Sequence, residues 1–380
     1  MSRRDGVLAA SLAMLFAIVP ASAATAADRD RDGLKDAFEM RYGVTDPDVR
    51  DSDHDGVIDA AEDNDGDGLG NLGEQRFRTH PGERDTDGDG IDDGSEDQDR
   101  DGRSNAKEQD QRKLPAALKP TIAGAKASYP AIRSKCIAGQ GTSRPVVCGF
   151  GPRKAKTRVV LIGDSHALMW SSPILGIAAN KRWRVMTMAK TACPALLGLY
   201  VNSQKYVDKG ASCDVWRSKV LKKLKAKPPD LIVIAHSDRY NLQRPNGLRY
   251  PKAQRPAVWK RALQKTLVAL PRASKVLVLG NVPHNRGNPR KCLKNNRDDI
   301  SACVTPKARQ DWRKIENALR AGTKASGATW GGLYGKICSY DPCPLVQGNI
   351  LVWRDKSHVT DTFAKQLQPT FRAMLEAALR

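Results

Sequence analysis

Val159-Val160-Leu161-Ile162-Gly163-Asp164-Ser165-His166 is the stretch whose reading decides the fold of the larger part of this chain. Its first four residues are all branched and apolar, with no polar alternation. That is the pattern of a strand buried on both faces, as in a parallel sheet covered by helices. Gly163 ends the run and lets the backbone turn sharply, which leaves Ser165 at the mouth of the sheet where a helix begins. Further apolar runs follow at 184–188, 231–235, 276–279 and, more weakly, 329–333, with amphipathic stretches at 215–224, 257–270 and 307–321. Strand and helix in alternation predict an α/β domain with a parallel sheet and helices on both faces. Ligands of such sheets bind beyond the carboxyl ends of the strands.

A serine at a helix N-terminus is often only an N-cap. The far end of the chain gives Ser165 a second meaning. Asp355-Lys356-Ser357-His358 precedes a predicted helix over about 360–379. A carboxylate three residues before an imidazole can accept its Nδ1 hydrogen bond and leave Nε2 facing a serine. D-x-x-H is a cheap pattern by itself, and its place between the last strand and the last helix is what carries weight.

The blocks Leu161-Ile162-Gly163-Asp164-Ser165-His166-Ala167 and Trp353-Arg354-Asp355-Lys356-Ser357-His358-Val359-Thr360 resemble the first and last blocks of the SGNH hydrolases. They are most similar to the SGNH domain fused to membrane acyltransferases that O-acetylate cell-surface polysaccharides. The resemblance spans about 136–380 and includes the cysteines before the first strand, Cys193-Pro194, and Cys338 to Cys343 with Pro344. It implies a flavodoxin-like, three-layer α/β/α parallel sheet, with Ser165 as nucleophile, His358 as general base and then acid, and Asp355 orienting the histidine. No cofactor is implied for catalysis. The implied oxyanion donors are the Ser165 amide and one from the turn 190–193, Thr191 being the candidate. The wider class carries a glycine in that turn, which is missing here. It also places an asparagine after the third strand, where Ala235-His236-Ser237-Asp238 stands, so Ser237 or His236 would substitute. His166 and His284 read as structural or substrate-facing.

Two reaction outcomes share one acyl-serine intermediate: deacylation by water, or transfer to a sugar hydroxyl. The expected activity is therefore that of a secreted serine esterase or O-acyltransferase acting on acyl, above all acetyl, esters of an extracellular glycan. The alternative is a non-catalytic, calcium-dependent wall-binding protein with a vestigial SGNH domain. A lipase would want an apolar groove, and Trp170, Trp183, Tyr240 and Trp353 are too scattered in sequence to argue one.

The chain has 63 Lys and Arg against 42 Asp and Glu, a net charge of +21 that hides a sharp division. Residues 28–110 carry 28 acidic and 11 basic side chains, a balance of −17, whereas residues 111–380 carry 50 basic and 13 acidic, a balance of +37. The basic part suits anionic wall polymers or lipid headgroups. Nucleic acid is the other generic partner of such charge, but an exported protein meets it less readily.

The acidic part repeats D-x-D-x-D-G-x-x-[DN]-x-x-E five times. Ligand positions 1, 3, 5, 9 and 12 fall on Asp28, Asp30, Asp32, Asp36 and Glu39, then on Asp51, Asp53, Asp55, Asp59 and Glu62. They recur on Asp63, Asp65, Asp67, Asn71 and Glu74, on Asp85, Asp87, Asp89, Asp93 and Glu96, and on Asp97, Asp99, Asp101, Asn105 and Glu108. These are the positions from which an EF-hand-type loop wraps oxygens around Ca²⁺, with glycine at position 6 for the sharp turn. Mg²⁺ suits the pattern less, because it demands a tight octahedron and keeps its waters. The loops start 23, 12, 22 and 12 residues apart, leaving little room for flanking helices. This spacing resembles thrombospondin type 3 calcium repeats, which implies an extended, metal-ordered segment. Proline-interrupted residues 111–130 read as a linker to a catalytic domain over 131–380.

Residues 1–23 have the layout of a cleavable secretory signal: Arg3 and Arg4, an apolar run over about 7–19, and Ala21-Ser22-Ala23. The apolar run is too short to span a bilayer, so the mature chain is expected to be soluble and secreted or in the cell envelope. Cys136, Cys148, Cys193, Cys213, Cys292, Cys303, Cys338 and Cys343 are an even set that falls as four close pairs along the chain. In an exported protein they read as disulfides, and neighbour pairing would staple surface loops. A zinc reading is weak, since no C-x2-C pair occurs.

Overall fold

The computed structural model describes residues 28–98, 102–109, 114–133, 135–202, 211–244, 246–285, 287–297, 300–304, 313–338 and 343–380. The expected signal segment 1–23 and the loop residues Asp99 and Asp101 lie outside the described residues. The chain forms two compact units, one of residues 28–75 and 79–94 and the other of residues 76–78 and 95–380.

The larger unit is built on a seven-stranded sheet. Its strands are β1 (Ile137–Ala138), β2 (Cys148–Phe150), β3 (Arg158–Gly163), β4 (Arg184–Lys190), β5 (Leu231–Ala235), β6 (Lys275–Leu279) and β7 (Thr329–Gly331). The order is β1-β4-β3-β5-β6-β7, parallel throughout. The exception is β2, which runs antiparallel along β4. Its helices include α1 (Ser165–Met169), α2 (Ser171–Lys181), α3 (Ala211–Ala226), α4 (Arg255–Ala269), α5 (Arg313–Ala325), α6 (Asp361–Gln366) and α7 (Gln368–Leu379). Of the helix expected over 307–321, residues 307–312 lie outside the described residues, and α5 begins at Arg313.

The unbroken apolar runs are explained by two buried faces. Val159 and Leu161, Leu231 and Val233, and Leu277 and Leu279 pack on one side with Trp170, Ile174 and Ile177 and with Phe371 and Leu375 of α7. Their neighbours Val160, Ile162, Ile232, Ile234 and Val278 pack on the other side with Trp216 of α3, Trp259 and Leu263 of α4, and Leu319 of α5. The period of two along each strand thus feeds two cores at once, giving three α/β/α layers. Each such side chain, fully buried, is worth about 1.5–3 kcal/mol.

From β3 the chain crosses to β4 on one side, and β5 then pairs with β3 on the other. That reversal opens a crevice above the carboxyl ends of β3 and β5, where α/β sheets bind their ligands.

The expected linker 111–130 is tied down where it is described. Leu118, Ile122 and Ala125 are buried in the first core. The Lys119 amide donates to the Asn349 carbonyl at 2.7 Å, and the Leu351 amide donates back to the Lys119 carbonyl at 2.8 Å. Its prolines read as a break, but its apolar residues and backbone find partners. Disulfides join Cys136–Cys148, Cys193–Cys213, Cys292–Cys303 and Cys338–Cys343, each pair neighbours in sequence. No helix among the described residues is long and apolar enough to cross a membrane.

The smaller unit has little regular structure beyond the helix Asp36–Tyr42 and the helix that starts at Asn71. Its loops are held by their own carboxylates. Asp51 accepts the Gly56 amide at 3.0 Å, Asp63 that of Gly68 at 2.9 Å and Asp85 that of Gly90 at 2.8 Å. These glycines have φ of 96°, 92° and 91°, backbone that other residues adopt only at a cost.

Candidate functional site

Ser165 opens α1 directly beyond β3, and Asp164 caps that helix by accepting the His166 amide at 2.8 Å. The far wall comes from a tight turn before α6. The Asp355 carboxylate accepts the amides of Ser357 at 2.9 Å and His358 at 3.0 Å, folding the four residues back on themselves. Buried Thr360 then caps α6 by accepting the Phe363 amide at 3.2 Å. These two caps fix where the serine and the histidine stand.

Between them runs a continuous relay. His358 Nε2 lies 2.9 Å from Ser165 Oγ, and His358 Nδ1 lies 2.9 and 3.0 Å from the two Asp355 oxygens. With Nδ1–H donating to Asp355, Nε2 is left to accept the serine proton. Burial would raise the Asp355 pKa, but the bond from His358, the Ser357 amide and the Arg354 guanidinium outweigh it and hold the carboxyl well below the usual range. Burial lowers the His358 pKa, and Asp355 only partly restores it, which favours the neutral imidazole. The His166 ring packs against His358 with centroids 4.7 Å apart. Burial, and then His358 itself, push its pKa well down.

Of the three expected oxyanion donors, two amides have other partners. The Thr191 amide donates to the Ala138 carbonyl at 2.9 Å, continuing the β1–β4 pairing. The Ser237 amide donates to Asp164 Oδ2 at 2.9 Å. A sheet edge and a buried carboxylate thus take both amides, while the Ser237 hydroxyl, which accepts the Arg239 amide at 3.3 Å, keeps its own proton to donate. The buried His236 ring stacks on Trp259, 5.0 Å between centroids, and burial pushes its pKa down to about 4, which keeps it neutral with a single N–H. The Ser165 amide, first in its helix, has no intrahelical acceptor. One residue past Thr191, Ala192 stands at φ 53°, and its amide has no partner among the described residues. Gly163 pairs with Ala189 across β3 and β4, so the turn 190–193 lies beside Ser165. The signal for Ala192 was its place in that turn, but its left-handed backbone was not readable. His284 pairs through Nε2 with buried Asp238 at 2.6 Å.

The smaller unit gathers carboxylates closely enough to share a cation. Asp28, Asp30 and Asp32 form one group, Asp51, Asp53, Asp55 and Glu62 a second, and Asp63, Asp65 and Asp67 a third, with ligand atoms within 4.8 Å in each. Two more groups join successive loops, Asp30 and Glu39 with Asp59, and Asp67 and Glu74 with Asp93. The ninth residue has a further role beside its place in these groups. Asp36 accepts the Arg29 amide at 3.0 Å, Asp59 the Ser52 amide at 2.6 Å and Asp93 the Thr86 amide at 3.1 Å, so this carboxylate clamps the second residue of its own loop. Asn71 instead donates to the Asp59 carbonyl at 2.7 Å.

The donor set fits a hard cation. Asp28 Oδ1, Asp30 Oδ2, Asp32 Oδ2, Glu39 Oε2, Asp65 Oδ2 and Glu74 Oε1 are buried without a hydrogen-bond partner. Burial first, and then neighbouring carboxylates, push Glu74 up to about 9, Glu39 to about 7 and Asp65 to about 6. Buried oxygens with no donor are costly unless a cation or a proton meets them.

A family profile described as "SGNH domain (fused to AT3 domains)" matches residues 135–373. No curated protein matches the chain. Among solved structures, the chain is similar to the lipopolysaccharide acetyltransferase periplasmic domain of Salmonella ser. Paratyphi A, at 16% identity over 68% of this chain and 97% of that one, with a TM-score of 0.48. It is also similar to a carbohydrate acetylesterase from Sinorhizobium meliloti, at 12% identity over 58% of this chain and 99% of that one, with a TM-score of 0.38. A GDSL-like lipase from Parabacteroides merdae is similar at 10% identity over 60% and 98%, with a TM-score of 0.35. With more than half of its length matched by that profile, the chain belongs to the SGNH family.

Proposed function

We propose that this protein is a serine esterase or O-acyltransferase that takes acyl groups, acetyl foremost, from or to an extracellular glycan through an acyl-Ser165 intermediate. The observation that carries the reading is the Asp355–His358–Ser165 relay, hydrogen-bonded along its whole length. As Ser165 Oγ attacks the acyl carbonyl carbon, its proton passes to His358 Nε2, and Asp355 stabilises the imidazolium. The amides of Ser165 and Ala192 are the donors for the oxyanion. Such a donor is worth about 2.7–4 kcal/mol in the transition state. The carbonyl re-forms as the alkoxide leaves, taking the proton from His358, and the acyl group stays on Ser165. Water, or a sugar hydroxyl in the transfer reaction, then attacks the acyl carbon as its proton passes to the same nitrogen, and His358 returns that proton to Ser165 Oγ as the acyl–serine bond breaks.

The smaller unit fits Ca²⁺, held by the first, third and fifth residues of each loop and by glutamates such as Glu39, Glu62 and Glu74. Bound calcium would neutralise carboxylates that otherwise repel, so metal binding and ordering are coupled there. The signal-like residues 1–23 and the disulfides support an extracellular or envelope location.

A fluorophosphonate probe together with a small acetyl ester tests the enzymatic reading. Labelling and turnover are expected in the parent, and both should vanish in Ser165→Ala. A parent that neither labels nor turns over any acetyl ester would favour a wall-binding protein with a vestigial site.

A further inference from the structure

Cations from three elements flank the catalytic turn. On one side Arg239, four residues beyond β5, donates Nη1 to the Lys356 carbonyl at 2.7 Å. On the other, the Arg133 guanidinium lies over the Tyr129 ring, 5.1 Å from its centroid, and the Arg354 guanidinium lies 6.0 Å from the same centroid. The Tyr129 segment is fixed against this turn because the carbonyl and hydroxyl of Ser128 accept the Asp361 amide, at 3.3 and 3.0 Å. Exposed Lys356 belongs to the turn itself.

The nearby carboxylates balance this charge only in part: Asp238 and Asp355 both act on Arg239, and Asp238 is itself paired with His284. Asp355 is committed to His358 and to Arg354, whose Nε lies 3.2 Å away. Among the described residues, none of Arg133, Arg239 and Lys356 has a carboxylate within ion-pair distance. The field reaches the reacting group, since Arg133 helps to lower the pKa of both His358 and Arg354. An excess of like charge at the mouth of a site destabilises the fold and concentrates ligands of opposite sign. Guanidinium groups also match carboxylate and phosphate geometry with two parallel hydrogen bonds.

We propose that the glycan acted on at Ser165 is anionic, and that Arg239 and Arg133 hold its carboxylate or phosphate groups on the two sides of the catalytic turn. The inference rests on the reading of Ser165 as the nucleophile and names the substrate class of that site. It also accounts for why the balance of +37 in residues 111–380 includes the immediate surroundings of the triad.

Binding is measured directly by calorimetric titration of the full chain with oligogalacturonate, with a glycerol-phosphate oligomer and with a neutral malto-oligosaccharide of equal length. The rate of fluorophosphonate labelling of Ser165 is followed beside it. The anionic oligomers should bind at least about tenfold more tightly than the neutral one and should slow labelling, because hydrogen bonds to a charged group are stronger than those to a neutral one. The carboxylate and phosphate arms show which group is preferred. Arg133→Gln and Arg239→Gln should each weaken anionic binding by roughly tenfold, with partial recovery in the Lys variants, and added salt should weaken it in the parent. Equal affinity for neutral and anionic oligomers would overturn the proposal. So would folded Gln variants that bind like the parent, or salt-insensitive binding if the variants fail to fold. Absence of labelling in the parent would strike the nucleophile assignment, and the titration would still decide this inference.

Discussion

The Tyr240 hydroxyl donates to the Asp164 carboxylate at 2.7 Å, joining the segment after β5 to the residue next to Ser165. The same carboxylate accepts the Ser237 and His166 amides, so three donors converge on one fully buried group. Burial pushes the Asp164 pKa up to about 6, although all three donors oppose it. Because the folded value lies above the unfolded one, the contribution of Asp164 to stability is full below about pH 4 and is lost as pH rises through about 6.

Tyr240→Phe should therefore cost more when Asp164 is charged. A hydrogen bond to an ionised group is worth about 1.5–3 kcal/mol, against about 1 for a neutral pair. Urea unfolding near neutral pH should show a loss of about 2 kcal/mol, shrinking to about 1 kcal/mol near pH 5. An equal loss at both would mean that Asp164 does not titrate between them.

Turnover requires neutral His358. The rate should rise with pH through a midpoint below the ordinary imidazole value, because burial outweighs the raising effect of Asp355. Asp355→Asn removes that raising effect and the Nδ1 acceptor. The midpoint should fall further while the maximal rate drops by roughly 10⁴. A variant with parent-like turnover would show that another carboxylate orients the histidine.

At φ 53°, Ala192 pays for a left-handed backbone that glycine adopts freely. Ala192→Gly should stabilise the unit by up to about 1 kcal/mol and keep the amide in place, so turnover should be maintained. Marked loss of turnover with unchanged stability would show that the Ala192 side chain, not its amide, matters at the site.

Chelation should raise the protease sensitivity of residues 28–94, because buried carboxylate oxygens such as Glu39 Oε2 and Glu74 Oε1 would lose their counter-charge. Glu39→Gln with Glu74→Gln should weaken calcium binding in a direct titration. Hydrolysis of a small ester should continue after chelation, since Ser165, His358 and Asp355 lie in the other unit. Calcium-dependent turnover of that ester would place a cation at the triad.

Sheet, triad and disulfide partners were legible because each rests on local pattern: the run at 159–162 feeds two cores, and D-x-x-H closes on itself through Asp355. What escaped the sequence depends on which backbone donors are already taken. Thr191 and Ser237 sit where oxyanion donors were expected, but Ala138 and Asp164 claim their amides. Asp36, Asp59 and Asp93 also clamp the second residue of their own loops, a role that the ligand pattern does not announce, while Asp59 and Asp93 still gather with carboxylates of the preceding loop. The prolines of 111–130 suggested a free linker, whereas the burial of Leu118 and Ile122 ties it to the core. Arg133 and Tyr129 carry no motif, and only the fold brings them to Arg354.

The most direct test of the acyl-serine account is rapid-quench mass mapping of the protein during turnover of an activated acetyl ester. The account predicts one acetyl group on the peptide that holds Ser165, accumulating more in Asp355→Asn if deacylation slows further than acylation, and none in Ser165→Ala. Acetyl on a different residue, or continued turnover by Ser165→Ala, would contradict it.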